Sequence, residues 1–160
     1  MPFETALPNL HPAVLHFPIA LGVVALGFDV AALLAPRHRW LARAGCTLTL
    51  LWAATAGAAY LSGEEALESL GELPGPAAAA AWNHADAALL ALAAILGTAL
   101  LRGIVAWRDR RRETIRRGVL RMLAAVVMLA ALGLLFRAAD LGGALVYRHG
   151  VGVDVRHQQN

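Results

Sequence analysis

The stretch His11-Pro12-Ala13-Val14-Leu15-His16-Phe17-Pro18 opens the first of four long apolar runs, and it sets two imidazoles and two prolines at the mouth of that run. An ionisable side chain at or below a membrane surface is costly unless it has a partner, a water-filled cavity or a ligand. Neutral imidazole is also a good ligand for zinc, copper or iron. Pro12 suits the first turn of a helix, where its missing N–H costs nothing, and Asn9 is placed to cap that turn. Pro18 leaves the carbonyl of Val14 without its helical donor, which predicts a kink beside His16.

Working outward, the apolar runs predict spans at about 12–35, 41–61, 84–107 and 118–139. Each is about 20 residues or longer, enough to cross a hydrocarbon core of about 30 Å. Of the 160 residues 59% are hydrophobic and 16% charged, and the mean hydropathy is +0.58. Soluble domains hold roughly 45–50% apolar residues. The fold class is therefore all-α, an integral membrane four-helix bundle of one domain. Asp29 in the first span is expected to face the bundle interior. Gly45, Thr47, Thr49, Thr55 and Gly57 supply small and hydroxylated contact positions in the second. The third is an Ala-rich run with Gly97, and Asn83 followed by Asp86 resembles a capping box that would start it near His84. The two halves share a hydropathy profile without an evident repeat of residues. Cys46 is the single cysteine, which excludes an intramolecular disulfide and a Cys-based zinc knuckle. No positive n-region or cleavage site precedes Leu10, so the first span reads as retained rather than as a signal peptide.

The sequence pI near 10.0 does not point to nucleic acid, because the basic residues gather in two loops, around Arg37-His38-Arg39 and from Arg108 to Arg117. They read as topology signals and contacts to anionic membrane lipids. The loop between spans two and three carries Glu64, Glu65, Glu68 and Glu72 and no Lys or Arg. The positive-inside rule puts the basic loops in the cytoplasm and both termini on the outer, periplasmic side. His11, His16, His84 and His149 then converge at the outer end, while His38 lies on the cytoplasmic side and His157 in the tail. Bundles build metal and cofactor sites at such convergences. On an ideal helix His11 and His16 are separated by roughly 140° and ~7.5 Å, so both cannot face one centre. His16 is expected to point inward and His11 to lie nearer the surface.

Each of these residues also has a plainer reading. Interfacial histidines can hydrogen-bond carbonyls freed by Pro18 or by helix ends. Arg137 can pair with Asp140 one turn on, or bind a haem propionate or a lipid phosphate. The acidic loop can dock a basic partner such as a soluble cytochrome, or be no more than tolerated outside. The Gly-rich tail from Leu141 to Val153 reads as a turn that returns Tyr147 and His149 to the bundle mouth. Ser-His-Asp order, His-Glu-x-x-His and Cys-x-x-Cys-His are all missing, which argues against hydrolase and c-type cytochrome chemistry.

Together, His11-Pro12 with His16-Phe17-Pro18-Ile19, Asp29, Ser62-Gly63, His84, Gly142-Gly143 and Tyr147 through Val153 make the chain resemble a bacterial family of predicted membrane proteins, domain-of-unknown-function family 2231. The resemblance covers nearly the whole chain. It implies a four-span protein of the bacterial inner membrane, and related domains accompany cytochrome c modules in larger proteins. It thereby leans toward redox chemistry with histidine ligands.

Three functions follow as expectations. The first is an electron-transfer module with a b-type haem, His16 and His84 being the axial ligands and His149 or His11 standing behind them. The second is an accessory subunit of a larger membrane complex without a cofactor of its own. The third is a zinc or copper site built from three or four of the imidazoles, His16 and His84 among them. No enzymatic reaction can be named from these residues.

Overall fold

Runs dominated by Ala and Leu, both strong helix formers, fold as helices throughout the computed structural model, which describes residues 10–110 and 117–153. In chain order they are α1 (His11–Val14), α2 (His16–Leu34), α3 (Arg39–Ser69), α4 (Gly75–Arg110) and α5 (Arg117–His149). The first span, His11–Leu34, is interrupted only at Leu15, which keeps helical dihedrals of φ −62° and ψ −20°. The interruption falls where Pro18 withholds a donor from the Val14 carbonyl. Pro12 sits in the first turn and Leu10, without a side-chain cap, precedes it. The expected cap, Asn9, lies outside the described residues.

Among the described residues four stretches are long and apolar enough to cross a membrane: His11–Leu34, Arg39–Ser69, Gly75–Arg108 and Gly118–His149. Three of them run past the spans expected. Prolines suit a helix start, so Pro74-Gly75-Pro76 begins α4 instead of interrupting the chain before it. Asn83 and Asp86 consequently lie inside α4 and cap nothing. The helix α5 passes through Gly142 and Gly143 and ends only after His149. There Gly150 adopts φ 64°, its N–H donates to Val146 O, and the N–H of Val151 donates to Leu145 O. The first is the 5→1 bond of an αL stop, and the second reaches further back along the helix. The tail therefore does not fold back as expected: Tyr147 and His149 are exposed on the helix itself.

Sequential helices pack antiparallel, and α2 also packs on α5, which closes the ring. The pairs α2/α4 and α3/α5 are thus the diagonals. The buried stripe of α2 is Pro18, Gly22, Ala25, Asp29 and Ala32, spaced by four and three as in a coiled-coil seam. Its neighbours in the core are Trp52, Ile95, Met128 and Leu132. Close approach is set by small residues, since a Cβ on Gly22 would lie 2.8 Å from the Trp52 indole. Leu and Val side chains cover much of the outside, as lipid contact requires. Exposed Trp40 and Trp107 ring one end and Trp82 and Tyr147 the other, the pattern of interfacial aromatic belts.

Asp29 faces the interior as expected. Its partner is Arg102 of α4, which reads in sequence as one more residue at the end of an Ala-rich run. Arg102 Nη2 donates to Asp29 Oδ1 at 2.5 Å, both side chains being buried. The same nitrogen donates to Ala42 O at 3.3 Å, and Arg121 of α5 stands close enough to Asp29 to attract its charge. A Cβ at Gly45 would collide with the carboxylate, so glycine is what admits the pair.

Candidate functional site

The histidine end of the bundle brings two imidazoles together. They are His11 and His84, with ring centroids 6.3 Å apart and planes inclined by 71°. His11 comes from α1 and His84 from α4, so the pair reaches across the bundle between diagonal elements. Its inward aim follows from phase. Seven residues before Pro18, His11 extends the buried stripe of α2 by one heptad, whereas His16, two residues before Pro18, falls about 200° around the helix. His16 is accordingly exposed. The expected assignment is reversed: His11 turns inward and His16 outward.

Each ring is held in the same way. His11 Nδ1 lies 3.0 Å from Ala59 O, and His84 Nδ1 lies 2.9 Å from Ala138 O. A carbonyl only accepts, so Nδ1 carries the proton in both rings and the lone pair belongs to Nε2. That tautomer, with Nδ1–H on a backbone carbonyl, is the usual arrangement of a metal-ligating histidine. Ser62 Oγ donates to the same Ala59 carbonyl at 2.9 Å and stands 3.1 Å from His11 Nδ1, where its lone pair shares that N–H. Each ring also lies on a glycine. A Cβ at Gly63 would come within 2.9 Å of His11 Cε1, and a Cβ at Gly142 within 2.9 Å of His84 Cε1.

The other candidates do not join this pair. His149 is the last residue of α5 and is exposed. Arg137 is exposed and shares a surface groove with Asn83, Asp86, Leu90 and Leu134. No ion pair joins it to Asp140 among the described residues. Among those residues no three His, Cys, Asp or Glu side chains group so as to hold a metal ion, so a zinc or copper site of three or four imidazoles has no such cluster to rest on. Glu64, Glu65 and Glu68 are exposed on the last turns of α3, and Glu72 follows them. The Arg block is described only in part, since residues 111–116 lie outside the described set, as does His157.

Arg102, Ser62, Gly63 and Gly142 were not legible as partners. The signal that could have found them is the spacing of buried positions, which carries His11 inward and points Arg102 at Asp29.

Residues 7–155 match the family described as predicted membrane protein, DUF2231. No curated protein and no solved structure matches the chain.

Proposed function

The chain belongs to DUF2231, a family of predicted membrane proteins, and from the chemistry of its imidazole pair we propose that it is a b-type haem electron-transfer protein of the bacterial inner membrane, in which His11 and His84 would hold the iron. The observation that carries the reading is the pair itself, at 6.3 Å between ring centres. An imidazole centre lies about 3 Å from an ion its ring ligates, about 2 Å for the metal–nitrogen bond and about 1 Å from nitrogen to ring centre, so two rings at this spacing could share one ion.

The number of ligands separates the possible ions. A structural zinc takes four protein ligands and a catalytic one takes three. Haem iron receives four nitrogens from its macrocycle and asks the protein for only two axial groups. Two imidazoles without a third His, Cys, Asp or Glu beside them among the described residues suit haem better than zinc or copper(II).

The chemistry of the donors supports the reading. His11 and His84 would bind through Nε2. The carbonyls of Ala59 and Ala138 orient the rings and make them more basic. Ala59, Gly63, Ala138 and Gly142 keep α3 and α5 free of bulky side chains at this level. Arg137, one residue from the carbonyl that holds His84, supplies a cation for a propionate. Haem when bound supplies a one-electron carrier.

With the basic loops in the cytoplasm, this site lies near the outer face. Glu64, Glu65, Glu68 and Glu72 at the same end offer a basic soluble cytochrome a complementary surface.

The test is an oxidised-versus-reduced absorption spectrum of the full-length protein purified in detergent from haem-sufficient cells. Wild type and His16→Ala are expected to show a Soret band that shifts and sharpens on reduction. His11→Ala and His84→Ala are expected to lose it while keeping their helical circular dichroism. A colourless wild type that also fails to take up added haemin, or a band that survives both substitutions, overturns the reading.

A further inference from the structure

A shift of 73 positions carries Asp29 onto Arg102 and His11 onto His84. Both contacts cross the bundle between its diagonal elements, one at each end. The same shift carries the buried stripe of α2, Pro18, Gly22, Ala25, Asp29 and Ala32, onto Ala91, Ile95, Thr98, Arg102 and Val105, every one of them buried in α4. In the partner helices the shift is 79. It takes Ala59 and Gly63, which hold the His11 ring, onto Ala138 and Gly142, which hold the His84 ring. Thr49, Trp52, Ala53 and Ala66 fall on Met128, Ala131, Leu132 and Leu145, again buried on both sides.

Few of these pairs are identical residues, which is why the repeat does not show in the letters. It shows in burial and in contacts. Both histidines lie at the same end and both hairpins run in the same sense, so the operation relating them is a two-fold along the bundle. That is the parallel-repeat arrangement, with its axis along the membrane normal.

We propose that the protein is a fused dimer of helical hairpins, α1–α3 with α4–α5, whose Asp29–Arg102 contact makes each hairpin accept the unlike hairpin and reject a copy of itself. A symmetric pairing sets equivalent patches against each other. Two copies of the first hairpin would face Asp29 with Asp29 across the axis, and two copies of the second would face Arg102 with Arg102. Specificity built this way comes from the penalty on the wrong pair as much as from the right contact. Volume is divided in the same manner. Trp52, fully buried in the shared core, has Ala131 as its counterpart. Two first hairpins would crowd two indoles into the core, and two second hairpins would leave it underfilled.

The arrangement can be tested on full-length chains without reference to any cofactor. Asp29→Arg gives a chain with two arginines on the axis, and Arg102→Asp gives one with two aspartates. Neither can pair its own hairpins without facing like charges. Exchanged between two chains, however, every interface regains one Asp and one Arg. The two variants, carrying different affinity tags and co-expressed, are expected to co-purify as a one-to-one complex. Its yield should exceed that of two co-expressed wild-type chains by about tenfold or more. Each variant expressed alone is expected to be lost from the membrane fraction or to aggregate. Co-purification no greater than that of the wild-type chains overturns the proposal, because hairpins that choose one another through this pair would exchange between the two variants. Full-yield monomer with an unchanged thermal midpoint from either variant alone overturns it as well.

Discussion

Removing one member of the Asp29–Arg102 pair leaves the other's charge inside a helix bundle, a change that costs about 3–5 kcal/mol when a buried ion pair is broken from one side. The surroundings predict which side costs more. Arg121 also attracts Asp29, so Arg102→Met leaves the carboxylate with one cation nearby and should fall at the lower end, about 3 kcal/mol. Asp29→Asn leaves Arg102 and Arg121 facing a neutral amide and should reach the upper end, about 5 kcal/mol. The double variant is different. In the native pair Asp29 Oδ2 and Arg102 Nε make no hydrogen bond, so the attraction only partly offsets the desolvation of two ions. Replacing both should cost no more than about 2 kcal/mol, against roughly 8 kcal/mol if the single effects simply added. The assay is reversible unfolding of the purified chain in mixed micelles with increasing SDS, followed by circular dichroism, on all four members of the cycle. Additive single effects would refute the reasoning, as would an Arg102→Met variant within about 1 kcal/mol of wild type.

Other positions give sharper local tests. Gly63→Ala and Gly142→Ala each drive a Cβ to 2.9 Å from an imidazole Cε1. Both should lower stability by about 1–3 kcal/mol and by similar amounts, whereas Gly97→Ala, with nothing within 4 Å of its Cβ, should raise the thermal midpoint slightly. Gly22→Ala pushes against the Trp52 indole at 2.8 Å. It should cost about 1–3 kcal/mol alone and distinctly less when combined with Trp52→Leu, as read from the thermal midpoints of the four variants. Gly150→Ala must hold φ 64°, a strain of about 1 kcal/mol. Hydrogen exchange should accelerate at the Gly150 and Val151 amides with little change in the middle of α5.

The spans were legible because apolar length is a local property, and the first span, His11–Leu34, follows its expected limits closely. The helix ends were less so. Pro74-Gly75-Pro76 has the letters of a breaker and the position of a helix start, and only the continuation through Ala77–Ala81 decides between them. The candidate site was legible in part. His84 reads correctly as a residue of the histidine end, but the choice of His16 over His11 rested on depth in the span. The deciding quantity was helical phase relative to the buried stripe. That stripe becomes visible only when one knows which of several Gly and Ala positions face the other helices.

By itself, then, the sequence determined that this is a four-span helical membrane protein with its histidines gathered mainly at one end and a carboxylate that must face inward. These follow from the cost of placing polar groups in hydrocarbon, and each can be judged one segment at a time. Only the tertiary structure decided that Asp29 meets Arg102, that His11 rather than His16 faces His84, and that the two hairpins repeat one another. Those are relations between segments 73 positions apart. They are set by how four Ala- and Gly-lined faces rotate into contact, and small residues leave little trace of facing in a sequence because they pack against almost any neighbour.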